Sequence, residues 1–125
     1  MAYEIKKWPD TVWPDEVEKE CPEAKPDISV LLLKMKEFGP KPEGYKLKTL
    51  GKAKAGLWQI NLKVQKKQIR ILYGPYGKDI VLFRIHKKSS PQEQDRAYEL
   101  ASKRKRDFEA MIDSKGAKNE KSPNN

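Results

Sequence analysis

Residues 58–86 read WQINLKVQKKQIRILYGPYGKDIVLFRIH. Trp58, Ile60, Leu62 and Val64 alternate with Gln59, Asn61 and Lys63, the period of a half-buried strand. Gln65-Lys66-Lys67 has the character of a turn. Ile69, Ile71 and Tyr73 then alternate with Gln68, Arg70 and Leu72, and Gly74-Pro75-Tyr76-Gly77 carries the residues of a second turn. Asp79 to His86 is nearly continuous in apolar residues, as a strand covered on both faces is. Links this short imply a consecutive antiparallel meander. Parity turns Asn61, Lys63 and Arg70 away from the Trp58/Ile60 and Ile69/Ile71 face, so Arg70 is expected to be exposed.

On the N-terminal side, Ala2 to Trp8 alternates loosely and suits an edge strand. Asp10 or Thr11 is placed to cap a first helix, with Pro14 in its first turn and Pro22 and Pro26 at its end. Asp27 is a good cap for a second helix over Ile28 to Phe38, and Gly39-Pro40 stops it. Leu31, Leu32, Met35 and Phe38 recur there at helical spacing and read as core. Residues 39–56 form a long connector with a short strand at Tyr45 to Leu50. After the meander, Ser90, Pro91 and Glu93 have capping-box spacing, and Ala97, Leu100, Ala101, Phe108, Met111 and Ile112 give the last helix an apolar face. One α+β domain over 1–112, with a disordered polar tail over 113–125, is the organisation these patterns predict.

The 125 residues carry a net charge of +9, unevenly spread. Residues 44–78 hold nine Lys or Arg and no Asp or Glu. Solvated surfaces normally mix the two signs, whereas a one-sign field suits a polyanion. Nucleic acid is therefore the preferred partner, ahead of an acidic protein or a membrane surface. Cys21 is the sole cysteine and His86 the sole histidine, so neither a disulfide nor a Cys/His metal site is expected, and no cofactor is implied. No apolar run approaches a membrane span and no signal pattern opens the chain, so a cytoplasmic protein is expected.

The candidate chemistry lies on the strands and their turns: Lys63, Arg70, Tyr73, Arg84, His86, Lys87 and Lys88. RNA supplies its own nucleophile, the 2′-hydroxyl. Its cleavage needs a proton acceptor, a cation beside the phosphate and a donor for the departing 5′-oxygen. Lys and Arg stabilise the extra negative charge, and His86 has an intrinsic pKa suited to proton transfer. Each residue also has a plain reading. His86 suits a helix-facing hydrogen-bonding position, Arg70 a solvated cross-strand partner, and Lys87-Lys88 the protection of a sheet edge. Lys103 to Arg106 suits a solvated helix face.

Residues 56–91, GLWQINLKVQKKQIRILYGPYGKDIVLFRIHKKSSP, resemble the RelE/HigB-like toxins of bacterial toxin–antitoxin systems, especially their phage-derived branch. The resemblance implies a small twisted antiparallel sheet with two N-terminal helices and a C-terminal helix. It also implies a metal-independent endoribonuclease, an mRNA interferase acting on messenger RNA at the ribosome and neutralised by a cognate antitoxin. Arg70 falls on the arginine that members use at the scissile phosphate, and Lys63 on a basic position of the preceding strand. His86, Lys87 and Lys88 fall at the functional end of the last strand. Gln59 and Asn61 depart from the family pattern, which often has Glu or Arg at the first position and in many members a basic residue at the second. The catalytic set implied is Arg70, Lys63 and His86. The RNA-binding set is Lys46, Lys48, Lys52, Lys54, Lys66, Lys67, Tyr73, Arg84, Lys87 and Lys88, with Tyr73 stacking on a base. A catalytically inactive RelE-like module that binds nucleic acid or protein, of phage or mobile-element origin, is the alternative.

Overall fold

A computed structural model describes residues 2–124 of the chain, with side chains described through Ser114. The elements follow in the order β1 (Glu4–Lys7), α1 (Asp15–Glu20), α2 (Lys25–Phe38), β2 (Lys46–Thr49), β3 (Trp58–Val64), β4 (Lys67–Tyr76), β5 (Asp79–Lys87) and α3 (Pro91–Asn124). The fold is α+β, with one five-stranded sheet in the order β1-β5-β4-β3-β2. Among the described residues no helix is long and apolar enough to cross a membrane.

The alternation read from the sequence sorts the sheet's two faces. Ile60, Val64, Ile69, Ile71, Tyr73, Ile80, Leu82 and Ile85 are buried against Val17 of α1 and Ile28, Leu31 and Met35 of α2. Leu72, Val81 and Phe83 point the other way and meet Ala101 and Phe108 of α3. Phe108 stands edge-on to Trp8, Tyr76 and Phe83 at 5.0–5.9 Å, a favoured aromatic geometry. The strand β5 is thus covered on both faces, as its continuous apolar run requires.

Several elements differ from the expectation. The sheet is mixed, because β1 pairs parallel to β5, with Ile5 opposite Ile80. The edge of β5 not taken by β4 needs a partner, and β1 supplies it while packing Ile5 against the first core. The first helix is short and begins only at Asp15; Asp10–Val12 is a separate 3₁₀ turn. Trp13 between them is extended, at φ −145° and ψ 130°, the conformation a following proline favours. Pro26 does not end a segment. It lies in the first turn of α2, where a missing N–H costs nothing. The expected turn at Gly74-Pro75 is part of β4, with Pro75 opposite Ile80 and the Tyr76 ring lying over Gly74. The chain reverses instead at Gly77, whose φ of +63° suits glycine. Gln65 and Lys66 close the β3–β4 hairpin, both at positive φ. The helix α3 is longer than the face ending at Ile112. The polar tail expected over 113–125 lies, from residue 115 onward, outside the described side chains.

The β4–β5 ladder shifts register between Leu72 and Tyr73: Leu72 faces Arg84, Tyr73 faces Leu82, and Phe83 is the extra residue of a bulge. The Phe83 carbonyl accepts a hydrogen bond from Arg104 Nη1 of α3 at 2.7 Å. Arg104 also donates to Glu16 of α1, 2.8 Å from Nη2 to Oε2. Glu16 Oε1 accepts from Arg84 at 2.9 Å, and Glu20 takes the other Arg84 nitrogen at 2.6 Å. This network ties α3, the bulge and α1 together and sets where α3 crosses the sheet.

Candidate functional site

Residues paired across a sheet share a face, so the ladder registers line up side chains from different strands. Lys46 faces Asn61, Asn61 faces Arg70, and Arg70 faces His86. This row crosses four strands, about 15 Å at ordinary strand spacing. A second row runs Lys48, Gln59, Leu72, Arg84. On the other side of the first row, Lys63 faces Gln68, whose carbonyl accepts the Lys88 N–H at 2.8 Å. Lys46, Lys48, Lys63, Arg70, Arg84 and His86, far apart in sequence, therefore share the α3 face.

The first turns of α3 lie over part of that face. Ser90 Oγ accepts the Glu93 N–H at 3.2 Å, one half of the expected capping box. The Glu93 carboxylate bonds to Ser89 Oγ rather than reaching back to the cap. Gln94 and Tyr98, one turn apart, descend onto the sheet beside the small Ala97 and Ala101. Arg70 Nη1 donates to Gln94 Oε1 and, at 3.0 Å, to the Tyr98 hydroxyl. The Tyr98 hydroxyl donates to Gln59 Oε1 at 2.6 Å, and Gln59 Nε2 donates to Asn61 Oδ1 at 3.1 Å. Arg70 is half-buried, not exposed as the strand parity suggested, because the covering helix is invisible to parity.

Beyond the helix the face opens into a hollow of about 390 Å³ bordered by Gly44, Lys46, Asn61, Lys63 and Gln68. Tyr45 and Leu62 also border it but send their side chains into the opposite core. Lys46 and Lys63 are exposed, and among the described residues neither has an acidic partner.

His86 is 3% exposed and stands edge-on to Tyr98, 6.2 Å between ring centres. Burial, then the positive charges of Arg84 and Arg70, pull its pKa down to about 4. It is neutral at pH 7 and out of reach of bulk solvent, so the proton-transfer role assigned from sequence does not fit this geometry. The ring faces the helix, beside Tyr98, but its Nε2 is buried without a hydrogen-bond partner among the described residues, so the plain reading holds for its position and not for its hydrogen bonding. The folded pKa lies below the unfolded value of 6.5, so the unfolded chain takes the proton first. The associated stability is fully present above pH 6.5 and is lost as pH falls towards 4. We expect wild type to lose up to about 3 kcal/mol more than His86→Gln across that window, read from urea midpoints at each pH. Superimposable pH profiles would refute this account of His86.

Among the remaining sequence candidates, Arg84 and Lys87 border a second hollow of about 270 Å³ together with His86, Glu20, Glu93 and Arg96, and the others lie apart. Tyr73 is fully buried among the first core residues, and its hydroxyl donates to the Pro40 carbonyl at 2.5 Å. No base can stack on it, and burial pushes its phenol pKa well up. Its parity with Ile69 and Ile71 already carried that signal. Lys67 turns to the other face, where Glu23 binds it at 2.6 Å. Lys87 faces Ile69 and lies on the same side, near Cys21 and Glu23. Arg84 is held by Glu16 and Glu20 and is not free to meet a phosphate. Lys54 lies 4.6 Å above the Tyr98 ring, and Lys52, Lys66 and Lys88 are exposed near the ends of the strands. In the C-terminal helix, Lys103 and Lys105 pair with Asp107 and Glu109 and the half-buried Arg104 is held in the network, which leaves Arg106 as the exposed cation of the run from 103 to 106 without an acidic partner among the described residues. The residues missed from sequence are Gln94 and Tyr98; only their one-turn spacing beside Ala97 and Ala101 marks them.

A scan against protein-family models, a search of curated proteins and a search of solved structures each returned no match. The functional reading therefore stands on the residues and their geometry.

Proposed function

We propose that the protein is a RelE-like toxin: a metal-independent endoribonuclease that binds messenger RNA across the open half of the α3 face and cleaves it by 2′-hydroxyl attack. What supports the reading is that Lys63, Arg70 and His86, the catalytic set the RelE resemblance implies, lie on one face of the sheet with Lys46 beside them. In this reading the sugar-phosphate chain crosses the hollow. Lys46 balances the charge that grows on the phosphate oxygens, Lys63, in its amine form at the open rim, takes the 2′-hydroxyl proton as that oxygen attacks phosphorus, and the departing 5′-oxygen takes its proton from water. His86 carries no proton in this scheme. The ribosome presents the message, and an antitoxin covers the cationic face to silence it.

One observation favours a second reading, an RNA-binding module that does not cut. His86 is buried and Arg70 is turned under α3, which leaves Lys63 as the sole accessible proton carrier of the implied catalytic set. The experiment that separates the two incubates the purified chain with 5′-labelled messenger RNA in chelator, with and without translating ribosomes. Products ending in a 2′,3′-cyclic phosphate are expected. Retarded but intact RNA under both conditions would select the binding module, and neither retardation nor cleavage would end the RNA reading.

A further inference from the structure

A guanidinium has donors and no acceptor, so the Arg70 to Tyr98 bond runs in one direction only. With its oxygen accepting from Arg70, the Tyr98 hydroxyl gives its proton to Gln59 Oε1. The Gln59 amide stands with its oxygen towards Tyr98 and its NH₂ towards Asn61 Oδ1. The Asn61 oxygen is thus used, and its NH₂ group has no protein partner among the described residues. Asn61 borders the hollow between Lys46 and Lys63. A chain of hydrogen bonds thus starts at a permanent positive charge and ends on an oriented donor at an open, cationic hollow. Each bond in such a chain strengthens the next.

The geometry points to Asn61 Nδ2, flanked by Lys46 and Lys63, as the contact to a non-bridging oxygen of an RNA phosphodiester, with Arg70, Tyr98 and Gln59 as positioning residues that orient and polarise it without touching the phosphate. This rests on the RNA reading above for its ligand. Arg70 Nη1 is engaged by Gln94 and Tyr98 and its Nε is buried without a partner, so of its guanidinium Nη2 is the nitrogen left for a contact from solvent. The hollow suits the phosphodiester because its polar rim is built from donors and two cations with no carboxylate.

The test uses the full chain and a short 2′-O-methyl RNA, which has no nucleophile. Affinity is read by fluorescence anisotropy, and the Asn61 side-chain amide by ¹⁵N NMR. Asn61→Asp replaces the donor by a repelling acceptor and is expected to weaken binding about tenfold or more. Tyr98→Phe keeps the ring and cuts the chain. It is expected to weaken binding about threefold and to shift the Asn61 amide signals in the free protein, which lost packing alone would not do. Should that variant melt early, Gln59→Leu cuts the chain at its next link. If Asn61→Asp and the chain-breaking variant bind as wild type does while Arg70→Ala loses binding, the phosphate is at Arg70 and the proposal is overturned with the RNA reading intact. If wild type fails to bind the RNA at physiological salt, both fall, and an acidic protein becomes the occupant to test on this face.

Discussion

Lys63→Ala is expected to lower RNA cleavage by about 100-fold or more while leaving stability within about 0.5 kcal/mol of wild type. Lys63 sits on β3 at the rim of the hollow, opposite Gln68, exposed and without an acidic partner among the described residues. Its side chain packs against no core, so its removal leaves no cavity. It does remove the cation nearest the rim and, in the proposed scheme, the group that exchanges a proton with the 2′-hydroxyl. Lys63→Arg divides these roles. Arginine keeps the charge but does not give up its proton, so it restores cleavage if charge alone matters and behaves like alanine if proton transfer does. Cleavage by Lys63→Ala within about twofold of wild type would remove Lys63 from the mechanism. Single-turnover rates with a fixed RNA, beside thermal melts, read both quantities.

Glu16→Ala is expected to destabilise the fold by about 2–3 kcal/mol. Glu16 is the carboxylate between Arg84 and Arg104, and all three side chains are only 15–17% exposed. Removing it leaves two largely buried guanidinium groups facing each other, with only Glu20 as a nearby acid. The value lies at or just below the range for a fully buried pair because some solvent reaches the network. The effect extends to the site. Arg104 clamps α3 to the Phe83 carbonyl at the bulge, and the same helix carries Gln94 and Tyr98 onto Arg70. Glu16→Gln keeps an acceptor and is expected to cost less than Glu16→Ala. Urea midpoints measure both, and a loss below about 0.5 kcal/mol for Glu16→Ala would mean that the network is no stronger than an ordinary surface pair.

The sheet was largely legible because burial on a strand writes itself into a period of two. Trp58 to Val64 and Ile69 to Tyr73 alternate cleanly, and the faces they define are those the structure buries. The same parity put Asn61, Lys63 and Arg70 together. Where the reading failed, a contact between distant segments decided the outcome. Pro26 looked like a terminator but opens α2, and Gly74-Pro75 looked like a turn but continues β4, because local propensity is weak beside ladder and packing energy. The chemistry of Tyr73 suits a stacking residue, but its neighbours in phase, Ile69 and Ile71, place it in the core. The acid-free stretch also looks freer than it is, since Glu23 reaches Lys67 from outside it.

By itself, then, the sequence determined the class of the fold, the strands that carry cationic side chains, and the face on which Lys63, Asn61 and Arg70 lie. These follow from periodicity and charge, which are local properties of the chain. Only the tertiary structure decided that β1 joins β5 in parallel, that Glu16 binds two arginines from different elements, and that α3 covers Arg70 and His86 while leaving Lys46, Asn61 and Lys63 open. Such features depend on where a helix crosses a sheet, and that is set by a bulge, a pair of alanines and a buried ion network rather than by any pattern a single segment contains.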